Sequence, residues 1–525
     1  MHWIDQKARE ILKRKDNHVV ASGISISGHI HIGHSNDVFI ADAVSKAVDE
    51  QGGEAKVIWY SDDFDPLRRI PWPLKEEGYK EHLGKPYVDI PSPDDEHDNF
   101  ADYFASPFID SLNDFGVQPE VYSSAEVYRE GGLSKQIRIA LEKASEVKEI
   151  LDEYRSDPLP ENWLPFDPVC EECGKIVTTR AYDWEDNYVF YECEGADYAE
   201  GCGHEGKADF TRGEGKLTWR VEWPARWEML GVTCEPFGKD HAASGGSYDT
   251  GKIIAREIYD YEPPEPVSYE WISLKGKPMS SSKGRVFTLP QWLEVGEPEL
   301  LRYFIFRSKA MKAKNFDPGL PFLDFYDEYD HLEEVYYEEA EVAESKESQL
   351  KRIYEISQVR DIPEEKPQRI PFRLATIINQ VARDSEHAIK ILRKKGVLKK
   401  MSDLEIKLAE KRLNCAKNWV ERYAPESEKL KILDELPNEV KKELSEEQKE
   451  GLASLARIIS ENDLAPEEIH NQVYEVSQEL EIKPGQLFRG VYLALLGEKS
   501  GPRVGNFITA LEDDFVIERF KEAAS

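Results

Sequence analysis

The chain has 525 residues, of which 40% are hydrophobic, so it is too long for one core and is expected to form two to four domains. No run approaches the roughly 18 apolar residues of a membrane span, and the first residues lack a signal-peptide pattern, so we expect a cytoplasmic protein without a membrane partner. The net charge of -34 opposes binding to a polyanion unless the 68 basic residues are concentrated locally.

The first predicted strand is followed by a turn that carries two histidines. Residues 19–25 are an apolar run typical of a buried strand, and residues 38–48 repeat apolar side chains at helical spacing. His31 and His34 therefore lie where a helix N-terminus presents free N–H groups and a positive dipole end. Together with Gly28 and Gly33, they predict a nucleoside triphosphate site; the alternative is a pair of surface histidines at a helix start.

The next segments predict a sheet that is interrupted by an insertion. Residues 57–60 predict a second strand, so residues 1–85 form the first half of a doubly wound nucleotide-binding sheet. Residues 86–215 are richer in Pro, Asp and aromatic residues and hold four of the six cysteines. We interpret them as an insertion and expect the sheet to resume over residues 216–266.

The four cysteines of the insertion have the spacing of a zinc site. Cys170 and Cys173 are separated by two residues, and Cys193 and Cys202 follow. A closed set of four thiolates predicts a structural Zn²⁺ ion, with His204 as a competing fourth ligand. Disulfides are the alternative, which the expected cytoplasmic location disfavours.

A loop with several hydroxyl groups and lysines follows within residues 267–330. An extended segment over residues 267–274 leads into it, and such a loop can close over a pyrophosphate group. Taken alone, this composition is also typical of a solvated linker. Its candidate residues are Lys277, Met279, Ser280, Ser281, Ser282 and Lys283.

The remainder of the chain, residues 331–525, has long charged segments of helical periodicity and no strand-like alternation, which predicts an all-helical module. A basic cluster in this module is a candidate nucleic-acid contact, although a solvated helix face is the alternative. The cluster contains Lys390, Arg393, Lys394, Lys395, Lys399 and Lys400.

The histidine turn and the serine-rich loop, in this order, resemble the two signature motifs of class I aminoacyl-tRNA synthetases. Further blocks are similar to the class I lysyl-tRNA synthetases, which are found mainly in archaea and some bacteria. These blocks are SDDFDPLR (61–68), WRVEWPARW (219–227), EPFGKDH (235–241) and GGSYD (245–249). The resemblance covers nearly the whole chain.

This resemblance implies an α/β protein with a Rossmann-like doubly wound catalytic domain, a zinc-containing insertion and an all-α anticodon-binding domain. It implies a lysine–tRNA ligase that uses ATP with Mg²⁺ to form lysyl-adenylate and then transfers lysine to the 3′ end of tRNA(Lys). We expect a monomer.

The resemblance also assigns roles to individual residues. His31 and His34 would hold the phosphates of ATP, and residues 279–283 would close over the leaving group. Lysine carries two ammonium groups and one carboxylate, so its pocket needs acids and aromatic faces. The candidates for this pocket are Gly23, Ser25, Trp219, His241 and Tyr269 by resemblance, with Asp62, Asp63, Asp65 and Asp240 as available acids.

The sequence departs from the family pattern in three places, the first being Ile26, which stands where a proline is common. Pro278 stands where the family usually has a lysine, so Lys277 and Lys283 are both candidates for its role. Residues 90–98 lack the cysteines of a second zinc site that many members carry. Two other functions remain possible from sequence: a class I synthetase for glutamate or glutamine, and a catalytically silent paralogue that binds tRNA.

Overall fold

The computed structural model describes residues 2–382, 384–394, 396–433, 435–462 and 464–525. The chain folds into two compact units. The first unit comprises Met1–Gln291, Leu301–Phe316 and Arg352–Arg360. The second unit comprises Trp292–Leu300, Asp317–Lys351 and Asp361–Ser525.

The helices and strands are numbered in chain order. The helices up to residue 306 are α1 Trp3–Leu12, α2 Ser35–Glu50, α3 Glu76–Tyr79, α4 Phe100–Leu112, α5 Ser124–Arg129, α6 Ser134–Glu142, α7 Ala144–Asp152, α8 Trp219–Leu230, α9 Ser247–Glu257, α10 Leu289–Val295 and α11 Pro298–Phe306. The later helices are α12 Pro321–Tyr336, α13 Glu344–Ser357, α14 Phe372–Ile378, α15 Ser385–Lys394, α16 Asp403–Arg422, α17 Asn438–Glu443, α18 Glu446–Glu461, α19 Pro466–Glu479, α20 Pro484–Leu496, α21 Val504–Ala510 and α22 Asp513–Ala524. The strands are β1 Asn17–Ser25, β2 Glu54–Asp62, β3 Glu120–Ser123, β4 Phe166–Pro168, β5 Thr179–Glu185, β6 Tyr188–Cys193, β7 Gly195–Ala196, β8 Ala199–Glu200, β9 Glu205–Asp209, β10 Gly215–Leu217, β11 Cys234–Gly238, β12 Glu265–Tyr269, β13 Ile272–Leu274, β14 Lys277–Pro278 and β15 Lys314–Phe316.

Five strands of the first unit form a parallel sheet in the order β12-β11-β1-β2-β3. The chain runs outward from β1 to β3 on one side and later adds β11 and β12 on the other side, so the strand order reverses beside β1. This arrangement confirms the predicted doubly wound, Rossmann-like sheet. Open sheets of this kind bind ligands at the carboxyl ends of the strands where the order reverses.

The central strand β1 and helix α2 form as the apolar pattern predicts. Val20 and Ala21 of β1 are buried, and nearly the whole of α2 is buried as well, as expected for a parallel sheet covered by helices. β1 pairs with β2 in unbroken register up to Ser25 and Asp62. The register therefore places these two polar side chains at the same edge of the sheet.

Part of the segment that we expected to be an insertion belongs to the main sheet. β3 lies within residues 86–215 but pairs with β2. β10 pairs with β4 in a separate two-stranded sheet, so the chain returns to the main sheet at β11 and not at residue 216 as expected. Because β3 has four residues, none of them fully buried, it gave no periodic signal in the sequence.

The described residues of the second unit are helical and contain no strand, in agreement with the expected all-helical module. Ser402 and Glu405 form a capping box at the start of α16. In its interior the Arg412 guanidinium is buried and pairs with Glu297 at 3.0 Å and with Asp330 at 2.9 Å. No helix of the part that the structure describes is long and apolar enough to cross a membrane.

Candidate active site

A cavity of about 520 Å³ lies at the carboxyl ends of the main-sheet strands in the first unit. Its walls combine the ends of β1, β2, β11 and β12 with the start of α2 and one face of α8. The candidate residues of the amino-acid pocket other than Asp63 and Asp65 line it: Gly23, Ser25, Asp62, Trp219, Asp240, His241 and Tyr269. His31, Gly33, His34 and Met279 of the two candidate nucleotide motifs line it too.

The two histidines of the turn stack on one another and are held neutral. Their ring centroids are 3.8 Å apart, with 16° between the planes. Burial lowers the pKa of His34 to about 4, and burial together with His34 lowers that of His31 well below its ordinary value. At neutral pH both imidazoles therefore act as hydrogen-bond donors rather than as cations.

Hydrogen bonds from backbone N–H groups determine which nitrogen of the His31 and His34 rings carries the proton. The Gly33 N–H donates to His31 Nδ1 at 3.2 Å, and the His31 N–H approaches His34 Nδ1 at 3.5 Å. An Nδ1 that accepts a hydrogen bond leaves the ring proton on Nε2. Each ring thus offers an Nε2–H beside the N-terminus of α2, which begins at Ser35 and has a positive dipole end.

The serine-rich loop follows a β-hairpin and rests on the histidine turn. β13 and β14 pair with each other, and residues 281–283 form one 3-10 turn. The Ser281 hydroxyl donates to the His29 carbonyl at 2.7 Å. A Cβ at Gly33 would lie 3.0 Å from Met279 Cε, so the glycine allows this close approach.

The other candidates of the loop lie at its surface. Lys277 is in β14 and Lys283 is in the 3-10 turn; both side chains are exposed, and neither lines the cavity among the described residues. The Ser280 and Ser282 hydroxyls are 3.2 Å apart. Gly28 is close to Ser281, because a Cβ at Gly28 would lie 3.1 Å from Ser281 Cβ.

Of the four acids considered from sequence, Asp63 accepts a hydrogen bond from the Ala125 N–H, Asp65 pairs with Lys216, and Asp62 has a partner as well. Its carboxylate pairs with the Arg226 guanidinium, and both side chains are buried. Burial raises the pKa of Asp62 to about 7, against the opposing effect of Arg226. Asp240 is exposed at the cavity wall.

Two buried acids in the cavity wall were not identified from sequence. Asp37 lies in the first turn of α2 and accepts a hydrogen bond from the Tyr269 hydroxyl. Glu235 lies in β11 and accepts hydrogen bonds from the indole N–H groups of Trp223 and Trp227. Within the described residues, no Lys or Arg forms an ion pair with either carboxylate. The signal available in the sequence was a glutamate inside an otherwise buried strand.

The electrostatic state of these acids follows from their burial. Burial, reinforced by the charge of Glu235, raises the pKa of Asp37 well above its ordinary value. Burial also raises the pKa of Glu235, although the hydrogen bond from Trp223 opposes this. A cation entering the cavity would favour the ionised forms of both groups.

Aromatic side chains form another wall of the cavity. The rings of Trp219 and Trp223 on α8 stack with centroids 5.5 Å apart. His241 lies 6.1 Å from Trp219 and 5.4 Å from Trp223, measured between ring centroids. The cavity thus combines apolar faces with two buried acids that have no cationic partner among the described residues, which suits an aliphatic chain that ends in a cation.

Comparison with known proteins places this site in a family. Residues 1–360 match the family described as tRNA synthetases class I (K), and residues 377–524 match that described as an anticodon binding domain. The chain is 42% identical to the lysine–tRNA ligase of Methanosphaera stadtmanae over 99% of both chains, and 43% identical to that of Archaeoglobus fulgidus over 100% of both. The chain belongs to the class I lysyl-tRNA synthetases.

A solved glutamate tRNA ligase from Elizabethkingia meningosepticum covers 97% of this chain and 99% of its own, with 16% identity and a TM-score of 0.38. A similarity at this level supports no conclusion about the function of this chain. The family membership confirms the resemblance inferred from the two motifs, and it makes the chain a class I aminoacyl-tRNA synthetase.

The four cysteines of this class I lysyl-tRNA synthetase converge. Their sulfur atoms all lie within 4.8 Å of one another: Cys170, Cys173, Cys193 and Cys202. The Cys170–Cys202 and Cys173–Cys193 sulfur distances are 3.6 and 3.8 Å. Sulfurs about 2.3 Å from a tetrahedral Zn²⁺ ion are about 3.8 Å apart, so the four side chains fit zinc.

The alternatives to a four-thiolate zinc site fit less well. All four cysteines are free thiols in the structure. His204 turns to Glu171, whose carboxylate lies 2.7 Å from its Nε2 atom, and it is outside the group of converging ligand atoms. Burial opposes ionisation of Cys193, but hydrogen bonds from Thr178 and from the Cys202 backbone lower its pKa to about 7.

The basic cluster lies on and just after α15 in the second unit. Ile389 and Leu392 face inward, whereas the described cations of the cluster are exposed: Lys390, Arg393, Lys394, Lys399 and Lys400. The Lys394 Nζ atom lies 3.5 Å from the Glu512 carboxylate. Lys395, the sixth residue of the predicted cluster, lies outside the described residues.

Proposed function

We propose that this protein is a lysine–tRNA ligase, which activates lysine with ATP and transfers it to tRNA(Lys). The observation that carries the proposal is the cavity with two buried acids, Asp37 and Glu235, beside two neutral histidines. The acids suit the side-chain ammonium of lysine, and the histidines suit phosphate oxygens. The family membership independently supports this reaction.

Lysine would place its ε-ammonium group at Asp37, with Glu235 as a second source of negative potential. A buried charge-assisted hydrogen bond of this kind is among the stronger polar contacts in proteins. Ser25 suits the α-ammonium group for a separate reason. Its hydroxyl donates to Asp65 at 2.9 Å, so its oxygen is left to act as an acceptor toward a ligand.

ATP would bind along the histidine turn, which also contains Gly28 and Gly33, with its phosphates near His31 and His34. An oxygen of the lysine carboxylate attacks the α-phosphorus, and the bond to the bridging oxygen of pyrophosphate breaks. The Nε2–H donors stabilise the negative charge that develops on the phosphate oxygens. A terminal ribose hydroxyl of tRNA then attacks the carbonyl carbon and releases AMP.

The serine-rich loop would cover the pyrophosphate. Met279 contacts the nucleotide side of the turn, and the hydroxyls of Ser280, Ser281 and Ser282 are available as donors. Lys277 and Lys283 are both exposed on this loop, so either can reach the phosphates when the loop closes. We retain both as candidates for the position that Pro278 leaves without a lysine.

Mg²⁺ would offset the charge of the pyrophosphate leaving group. Among the described residues, the group able to hold a metal ion by itself is the cysteine cluster, so we propose that Mg²⁺ arrives bound to ATP. The cysteine cluster would hold a structural Zn²⁺ ion, because four protein ligands leave no open position for chemistry.

The second unit would bind tRNA(Lys), with the basic cluster at its phosphates. An anticodon-binding match over residues 377–524 and a set of exposed cations in an acidic chain both support this role. We further propose that the protein works as a monomer in the cytoplasm. We also propose that the chain has five functional parts, residues 1–85, 86–215, 216–266, 267–330 and 331–525.

A glutamate or glutamine enzyme fits the cavity poorly. Such a pocket needs a cation facing the substrate side chain, and the arginine of this cavity, Arg226, is already paired with Asp62. The decisive experiment is ATP–pyrophosphate exchange and tRNA charging with lysine, glutamate, glutamine and arginine in turn, each with and without tRNA(Lys). We expect activity with lysine; charging with glutamate and not lysine would refute the proposal.

A further inference from the structure

Trp72 is a large aromatic side chain that remains 51% exposed beside the active-site motifs. It belongs to the first unit, in the segment that follows β2. Its neighbour Pro71 covers the histidine turn, since a Cβ at Gly28 would lie 2.9 Å from Pro71 Cβ. An exposed tryptophan at the edge of a catalytic cavity calls for an explanation, because burying its ring would be strongly favourable.

One face of the Trp72 ring is covered by the serine-rich loop. Gly284 has a left-handed φ of 65°, and a Cβ there would lie only 2.7 Å from Trp72 Cδ2. The His29 ring lies 6.0 Å away between centroids, tilted by 55°. The ring therefore contacts both motifs, and about half of the Trp72 surface stays exposed to a planar partner.

The surroundings of Trp72 favour an anionic partner. Within four residues of it along the chain, three cations are exposed, Arg68, Arg69 and Lys75, against one exposed acid, Glu76; Lys283 precedes Gly284. Residues 271–293, which include the serine-rich loop, contain no Asp or Glu, although 102 of the 525 residues are acidic. Exposed cations interleaved with an aromatic ring are the features that bind single-stranded nucleic acid.

We propose that Trp72 is a stacking platform for an unpaired base at the 3′ end of tRNA. The inference rests on the proposed function, in which that end must reach lysyl-adenylate inside the cavity. Arg68, Arg69 and Lys75 would hold the backbone phosphates of the same nucleotides. Because stacking requires only a base face, the platform guides the strand without reading its sequence.

The adenine of ATP is a less suitable occupant. Trp72 is not among the residues that line the cavity, whereas Gly33 and Met279 are. Trp72 packs against Gly284, and its neighbour Pro71 packs against Gly28. A nucleotide stacked there would be outside the cavity, as a base of an entering RNA strand must be.

The test compares Trp72→Ala and Trp72→Phe with the unmodified protein. Binding is measured at one salt concentration to two tRNA(Lys) transcripts, one complete and one lacking the unpaired 3′ nucleotides. We expect Trp72→Ala to weaken binding of the complete transcript by at least about 5-fold, the lower end for loss of one base–aromatic stack. Binding of the shortened transcript should not change, and Trp72→Phe should retain most of the affinity.

Tyr182→Ala, which removes an exposed aromatic ring from β5, is the matched control and should leave both affinities unchanged. Equal losses on both transcripts, or a raised KM for ATP in pyrophosphate exchange, would overturn the inference. If the unmodified protein charges tRNA with lysine and Trp72→Ala binds the complete transcript with unchanged affinity, the stacking platform alone is refuted. Failure of the unmodified protein to charge any tRNA would instead refute the proposed function.

Discussion

The Ser281 hydroxyl donates a 2.7 Å hydrogen bond to the carbonyl oxygen of His29, although the two residues are 252 positions apart in the chain. This contact joins the serine-rich loop to the histidine turn. The close approach of Met279 to Gly33 is a second contact between the same segments. The two candidate nucleotide motifs thus form one surface.

Replacing Asp37, a buried acid of the cavity wall, should weaken lysine binding. We expect Asp37→Asn to weaken lysine binding by about 10- to 150-fold, because a hydrogen bond to a charged group contributes about 1.5–3 kcal/mol. Isothermal titration with lysine measures this, and the KM for ATP should stay the same. Asp110→Asn, at an exposed position of α4, is the matched control. An unchanged lysine affinity would remove Asp37 from the site.

Lysine affinity should fall as the pH is lowered. Burial raises the pKa of Asp37 above its ordinary value, so the free protein holds a proton there at a higher pH than usual. The lysine cation favours the carboxylate, so binding releases that proton and is weakened by acid. Titrations between about pH 5.5 and about pH 8.5, in buffers of different ionisation enthalpy, measure the release. Asp37→Asn should flatten the profile; a profile that persists would assign it to Glu235 or Asp62.

Removing a histidine donor should slow adenylate formation. We expect His31→Ala to lower kcat for pyrophosphate exchange by about 100- to 1000-fold, the loss typical of one donor to developing charge. The KM for lysine should change little, because His31 acts on phosphate oxygens. His331→Ala, an exposed histidine of the helical unit, serves as the control. A loss confined to the KM for lysine would place His31 in the amino-acid site instead.

Purified protein should contain about one zinc ion per chain, as a closed four-ligand site requires. Cys202→Ala should lose this zinc, whereas His204→Ala should retain it, because His204 pairs with Glu171. Metal analysis by mass spectrometry distinguishes the two variants. If Cys202→Ala kept its zinc and His204→Ala lost it, His204 rather than Cys202 would be the fourth zinc ligand.

Neutralising the basic cluster should reduce the salt dependence of tRNA binding. Replacing Lys390, Arg393 and Lys394 with Gln should lower the slope of log Kd against log salt by about one unit for each tRNA phosphate that is no longer neutralised. Lys13→Gln with Lys15→Gln, two exposed lysines of the catalytic unit, is the control. An unchanged slope would make the cluster an ordinary solvated helix face.

The elements that the sequence predicted are those with a strong local pattern. β1, α2 and β2 follow from apolar runs and helical spacing, and the cysteine cluster follows from ligand spacing. β3 and the pairing of β10 with β4 could not be predicted, because one is short and the other joins residues nearly fifty positions apart. Asp37 and Glu235 were missed because their role depends on the absence of a cationic partner, which only packing reveals.

The short sheet of β4 and β10 connects the cysteine cluster to the amino-acid pocket. Cys170 follows Pro168 by two residues on one strand, and Trp219 follows Leu217 by two residues on the other. Within the part of the chain that the structure describes, this strand pair directly connects the cysteine cluster to the indole wall of the cavity. We expect oxidation or chelation to impair amino-acid selection while the main sheet stays folded, which would make this enzyme sensitive to oxidants through substrate recognition.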